Sequence, residues 1–423
     1  MKKFVVVFFY FLLLAAGLTS SQAYDYPFSN PYVATVIGTP AQYGAPLPGK
    51  IKVKQLELRV FEDRKVPDVF WYQDTLKYSL AYQKEKAPLI FVIAGTGASY
   101  STANMQLLQK AFYQAGFHVI SLSSPTHPNF IVTASTSGVP GNIVDDSRDL
   151  YHVMERACEQ VKHRIEVSEF YLTGYSLGGA QAAFIAQLDD EKGLFNFKKV
   201  LMINPPVSLY TSAGILDELL VKNIPGGMDG FNVFFKEMMG EFSEIYKVMG
   251  YLDLSGEYLY AVYKRRPQKD ENLTALIGLV FRLSSTNMVF TSDVMSNSGL
   301  IVPKNRVLSS ADSLTDYFKV TMRTSFIDYF DELFYPYFSA RQPDVTQQAL
   351  IEQASLKSIE DYLKTAKKIA LMTNEDDFIL APGDIDFFRQ VFQERAKIYP
   401  AGGHCGNMGY KDNIEYMIDF FEN

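Results

Sequence analysis

The feature that most constrains this chain is a rhythm. Short, largely apolar runs at Pro88–Ala94, Phe117–Leu122, Phe170–Thr173, Val200–Ile203 and Ile369–Met372 alternate with stretches of helical period. Runs this short and this apolar suit strands buried on both faces. Strands that alternate with helices build a mostly parallel sheet covered by helices on both sides. Helices are expected over 102–115 and 145–164, and from Ala180, Asp384 and Lys411 onward, with a last strand at Ala396–Tyr399. Ahead of this rhythm, residues 51–62 alternate through Val53, Leu56, Leu58 and Val60. Residues 69–82 carry Trp71, Tyr72, Leu76, Tyr78 and Leu80, which predicts an early hairpin or meander. Residues 24–50, rich in Pro, Gly and Tyr, read as an extended lead-in.

The rhythm breaks between residues 207 and 365. Helical patterns at 231–250, 272–284, 312–335 and 346–365 fill this stretch, with aromatic clusters at Phe231–Phe235, Tyr258–Tyr263 and Phe326–Phe338. It resumes at Lys368. One sheet domain, 24–206 and 366–423, is therefore expected to be interrupted by a helical insertion over 207–365. The run Leu276–Phe281 is too short to span a bilayer.

Gly174-Tyr175-Ser176-Leu177-Gly178 has the form G-x-S-x-G, with an apolar strand before it and an Ala-rich helix after it. A serine held on a tight strand-to-helix turn presents its oxygen at the top of a sheet, and small flanking residues let the turn close. With this motif in this context the chain resembles the α/β-hydrolase superfamily, over about residues 51–205 and 366–423. The resemblance implies an α/β-hydrolase fold and the chain order nucleophile, acid, histidine.

That order is filled by Ser176, by Asp376 or Asp377, and by His404. Among the five histidines only His404 lies in a glycine-rich loop after the last strand, Gly402-Gly403-His404-Cys405-Gly406. Such a histidine takes the serine proton and returns it to the leaving group. An acid orients the histidine, and Asp377-Phe378-Ile379-Leu380 fits the family's pattern better than Asp376 does. The resemblance further implies an oxyanion hole from the backbone N–H groups of Leu177 and Thr96, although Ala94 stands where many members have His. Cys405 reads as a packing residue.

The N-terminus carries a basic head, Met1-Lys2-Lys3, an apolar run from Phe4 to Leu18 and a small-residue site, Ser21-Gln22-Ala23. This is the layout of a secretory signal peptide over residues 1–23, with an uncleaved anchor as the alternative. The net charge of −7 argues against a partner bound through its phosphate backbone, so no nucleic-acid partner is expected. Two cysteines define no disulfide framework, and the expected chemistry needs no cofactor or metal. The sequence thus points to an exported serine hydrolase acting on a carboxylic ester or related acyl substrate. The rival readings are an acyltransferase on the same residues and a binding protein that kept the fold.

Overall fold

A computed structural model describes residues 24–224, 226–237 and 269–423. The proposed signal segment and the cluster Tyr258–Tyr263 lie outside these residues. Eight strands form one sheet: β1 (Val53–Leu58), β2 (Leu76–Ala81), β3 (Ala87–Ile93), β4 (His118–Leu122), β5 (Val167–Tyr175), β6 (Lys199–Ile203), β7 (Ile369–Asn374) and β8 (Ala396–Tyr399). Their spatial order is β1-β2-β4-β3-β5-β6-β7-β8. Strand β2 runs antiparallel to β1 and β4, and every other pairing is parallel.

The helices are α1 (Pro31–Ile37), α2 (Ala103–Gln114), α3 (Pro128–Thr133), α4 (Ile143–Val161), α5 (Leu177–Lys192), α6 (Leu209–Asn223), α7 (Asp270–Ser296), α8 (Thr315–Thr321), α9 (Gln347–Gln353), α10 (Asp384–Phe392) and α11 (Lys411–Glu422), with shorter turns between them. The pleat of β3 explains why its run is apolar throughout. Leu89, Phe91 and Ile93 join one core with residues of α4, α5 and α10, while Ile90, Val92 and Ala94 join the opposite core with residues of α2 and α11.

Two expectations need correction. Residues 24–50 are not simply extended, because they include α1. The side chain of Asn30 caps it by accepting from the N–H groups of Tyr32 and Val33, and Pro31 occupies its first turn. Two turns are too few to show a period, so the cap and the proline were its signals. The patterns at 312–335 and 346–365 are not continuous helices. A new helix starts at Ser325, whose side chain and that of Asp328 form a capping box. A break follows α9, where Ser355 Oγ and Leu356 N–H both donate to the carbonyl of Val207.

Helix α7 is long and apolar enough to cross a membrane by length and composition, yet 61% of that window is buried inside the fold. Its middle residue of note, Arg282, is 1% exposed and donates from Nε and Nη2 to Asp217 of α6 at 3.1 and 2.7 Å. Breaking such a buried pair typically costs about 3–5 kcal/mol. The two helices approach closely at Gly278, where a Cβ would fall 2.4 Å from the backbone nitrogen of Leu220. The described aromatics of the inserted segment pack mainly with one another and with neighbours from the sheet domain. Phe326, Tyr329, Phe330, Phe334 and Phe338 share a cluster with Val69, Phe70, Ile131 and Val139.

Candidate active site

Ser176 occupies the turn between β5 and α5 with φ 54° and ψ −126°, a strained conformation for a residue with a side chain. The flanking glycines make this turn possible. A Cβ on Gly174 would lie 2.3 Å from the carbonyl oxygen of Gly178, and one on Gly178 would lie 2.4 Å from that of Ile93. The helix therefore starts against the strands with only hydrogens between them. The serine's own N–H donates to the carbonyl of Ile203 at 2.8 Å.

His404 Nε2 stands 2.9 Å from Ser176 Oγ, and His404 Nδ1 stands 3.1 Å from both carboxylate oxygens of Asp377. An ionised carboxylate only accepts, so the proton belongs on Nδ1 and the lone pair on Nε2 faces the serine hydroxyl. The Asp377 side chain is fully buried, and that of His404 is 16% exposed. Asn204, at φ 44° just after β6, donates from Nδ2 to Asp377 Oδ2 at 2.9 Å. This amide was not singled out from the sequence. Its one signal was an Asn at the end of an apolar strand, before Pro205-Pro206.

The neighbouring acid has a different task. Asp376 accepts the N–H groups of Gly403 at 2.9 Å and Gly402 at 3.2 Å. Burial raises its pKa, and those two bonds oppose the rise. Asp377 thus touches the ring of the histidine and Asp376 the backbone before it. Glu375 pairs with Arg389 at the surface.

The histidine loop is also held by residues far away in sequence. Thr35 of α1 accepts the N–H of His404 at 2.8 Å and donates its own hydroxyl proton to the carbonyl of Pro31 at 2.8 Å. Gly403 (φ 56°) leaves room for that carbonyl, which a Cβ would meet at 2.1 Å. Asn374 Nδ2 donates to the carbonyl of Gly403 at 2.7 Å and exchanges bonds with Asn407, whose Nδ2 also reaches Tyr24 Oη. Tyr410 donates to Asp25. Thr35 lies in the segment 24–50, whose Pro, Gly and Tyr content predicts only an extended lead-in.

Cys405 follows the histidine with φ 62°, and its Sγ lies 3.9 Å from His404 Nε2. Burial disfavours the imidazolium of His404. The negative charge of Cys405 when ionised and the Asp377 carboxylate outweigh burial, so the pKa of the ring lies well above its ordinary value. Cys158 is the second free thiol, and burial pushes its pKa up to about 12.

Two residues that share a cavity with the serine have backbone N–H groups without an acceptor among the described residues. The N–H of Gly97 donates to Thr126 Oγ1 at 2.7 Å and that of Ala98 to the carbonyl of Gly95. The N–H groups of Thr96 and Leu177 donate to no described residue. Thr96, Leu177 and Ser176 line one narrow cavity of about 30 Å³, walled by apolar side chains that include Leu216, Phe281, Met288, Phe326 and Ile379. Of the aromatic clusters expected in the insertion, Phe326 alone among the described residues lines it.

No known family model and no curated protein matches this chain. Among solved structures it is similar to a thioesterase domain from the curacin biosynthetic pathway, at 10% identity and a TM-score of 0.39, over 88% of this chain and 100% of that one. It is also similar to Est1E from Butyrivibrio proteoclasticus, at 13% identity and a TM-score of 0.37, over 82% and 96% of the two chains. Proline iminopeptidase of Mycobacterium smegmatis gives 11% identity and a TM-score of 0.41, over 87% and 98%. The strand order with β2 alone reversed, the helices on both faces, the serine turn after β5 and the insertion between β6 and β7 establish that this chain has the α/β-hydrolase fold.

Proposed function

We propose that the protein is a serine hydrolase that cleaves a carboxylic ester through an acyl-enzyme. The observation that carries this reading is the continuous contact from Asp377 through His404 to Ser176 Oγ, at 3.1 and 2.9 Å. His404 Nε2 removes the proton as Ser176 Oγ attacks the carbonyl carbon, then delivers it to the departing alkoxide. Asp377 keeps the ring in the Nδ1–H tautomer and stabilises the imidazolium. The N–H groups of Thr96 and Leu177 receive the negative charge that develops on the carbonyl oxygen. Water, activated by the same His404, then releases the acid.

Residues 207–365 act as a lid in this reading, and they limit the acyl group. A cavity of about 30 Å³ holds roughly two water positions, which suits an acyl group of one to three carbons rather than a long chain. Residues 1–23 serve as an export signal, so the enzyme works outside the cytoplasm.

The test is covalent labelling by a fluorophosphonate, followed by a p-nitrophenyl ester series. Wild type labels and Ser176→Ala does not. Turnover is highest for acetate and propionate and falls from butyrate onward. Undiminished labelling of Ser176→Ala overturns the nucleophile. Turnover that rises through decanoate overturns the short-acyl assignment and leaves the nucleophile in place.

A further inference from the structure

A second, larger cavity opens beside the oxyanion loop. It is a groove of about 540 Å³ lined by Gly97 on that loop, by Ser123 and His127 beyond the end of β4, and by Ser284 and Asn287 on α7. The strand order places it apart from Ser176: β3, whose loop carries Thr96 and Gly97, lies between β4 and β5. At Gly97 the loop presses on α7, since a Cβ there would fall 2.7 Å from Ser284 Cβ. The loop thus has the acyl cavity on one side and the groove on the other.

Three properties define what the groove fits. Its rim is aromatic and open to water. Tyr72 lines it at 55% exposed, and Trp71, 66% exposed, stands edge-on to Tyr72 with ring centroids 5.9 Å apart. Its inner wall is neutral and polar. The N–H of Asn129 donates to His127 Nδ1, which leaves the ring proton on Nε2, and burial holds the pKa of this ring down to about 4, so the ring is uncharged at neutral pH. That Nε2–H, the hydroxyl of Ser284 and the amide of Asn287 bond to no described residue. Third, among the described residues the lining holds no carboxylate, and its single cation, Lys77, stands opposite Glu57 in the β1–β2 ladder. A cross-strand partner of opposite sign weakens any pull on an anion.

A purely apolar ligand would strip water from these donors and acceptors without replacing it. An anion would find no net positive charge. A ring with C–H faces and several hydroxyl groups satisfies both the aromatic rim and the polar wall. We infer that this groove is a binding site for a neutral sugar residue, stacked on Tyr72 and hydrogen-bonded by His127, Ser284 and Asn287. The sugar is either the alcohol part of the ester or a separate ligand.

Trp71 is the only tryptophan in the chain, so its fluorescence reports on the rim. The full protein is titrated with glucose, galactose, N-acetylglucosamine and their β-1,4-linked dimers, with saturation-transfer NMR in parallel. At least one sugar is expected to give a saturable change. Tyr72→Ala and Asn287→Ala each weaken it by roughly fivefold, on the scale of one stacking or hydrogen-bond contact. Ser176→Ala leaves it unchanged. If the sugar is part of the ester, Tyr72→Ala raises KM for an acetylated sugar and leaves p-nitrophenyl acetate untouched. If it is a separate ligand, both esters keep their KM while the free sugar still binds. No saturable signal from any sugar up to about 50 mM, beyond millimolar affinity, overturns the inference whatever Ser176 does. So does binding that both groove variants leave intact.

Discussion

The serine turn and the histidine loop meet at one hydrogen bond but are built in opposite ways. Ser176 is held by its immediate neighbours: Gly174, Gly178 and the strands on which they close. His404 is held by residues hundreds of positions away, through Thr35, and by Asp376 and Asn374 across a strand end. The first device is compact and strained. The second distributes the same demand for precision over several weak bonds. The contrast teaches that, in the proposed mechanism, the nucleophile is placed by local backbone geometry and the base by its surroundings.

Removing the locally built member should have the largest effect. Ser176→Ala is expected to lower kcat for p-nitrophenyl acetate by roughly 10⁴-fold or more, with the melting temperature little changed because alanine bears the same backbone strain at this position. Residual burst kinetics in this variant would break the comparison at its first term. Next come the two adjacent acids. Asp377→Asn should cost about 10³- to 10⁴-fold in kcat, since the ring loses the acceptor that fixes its tautomer. Asp376→Asn should cost far less, about tenfold, because it loosens two backbone bonds and spares the ring. Steady-state kinetics on both variants decide it, and a larger loss for Asp376→Asn would reverse their tasks.

The distributed side is sharpened by Thr35→Val, which keeps the shape and removes the hydroxyl. The orphaned N–H of His404 should cost about 1–3 kcal/mol if it finds no water. A fall in kcat of several-fold, an unchanged KM and rescue by Thr35→Ser are expected. Equal kcat for Val and wild type would mean the loop holds itself. The smallest effect concerns pH. The base must be neutral to accept a proton, and the pKa of His404 is raised, so activity is lost as pH falls through a value above about 6.5, the ordinary histidine range. Cys405→Ser removes one group that raises the pKa, so the acid limb of kcat/KM should move to lower pH. A limb that moves upward, or stays fixed, removes Cys405 from the electrostatics of the site.

This contrast also explains what could be read from sequence. The runs that became β3, β6 and β7 were legible because burial on both faces leaves no polar position. The turn at Ser176 was legible because all its determinants fall within five consecutive residues. The pattern Asp377-Phe378-Ile379-Leu380 pointed to the acid that touches the ring, with Ile379 now seen both in the cavity wall and donating back to Asp377. Thr35 and Asn204 were not legible, since each acts through one bond to a partner that only the fold brings near. The cavity size was equally hidden. Aromatic residues in the insertion predicted apolar surface but not that Tyr329, Phe330, Phe334 and Phe338 would spend it on one another.

The bond between Thr35 and His404 spans 369 positions, and that between Tyr410 and Asp25 spans 385. During synthesis, residues emerge at roughly 5–20 per second. The serine turn can close once β6 has left the ribosome, whereas Thr35, on a helix that already packs against α7, meets His404 only some 200 residues after β6. For that interval a nascent chain carries the serine turn without the histidine that faces it. On the proposed mechanism, a chain that stops short of His404 would keep the serine turn and lack the group that takes its proton.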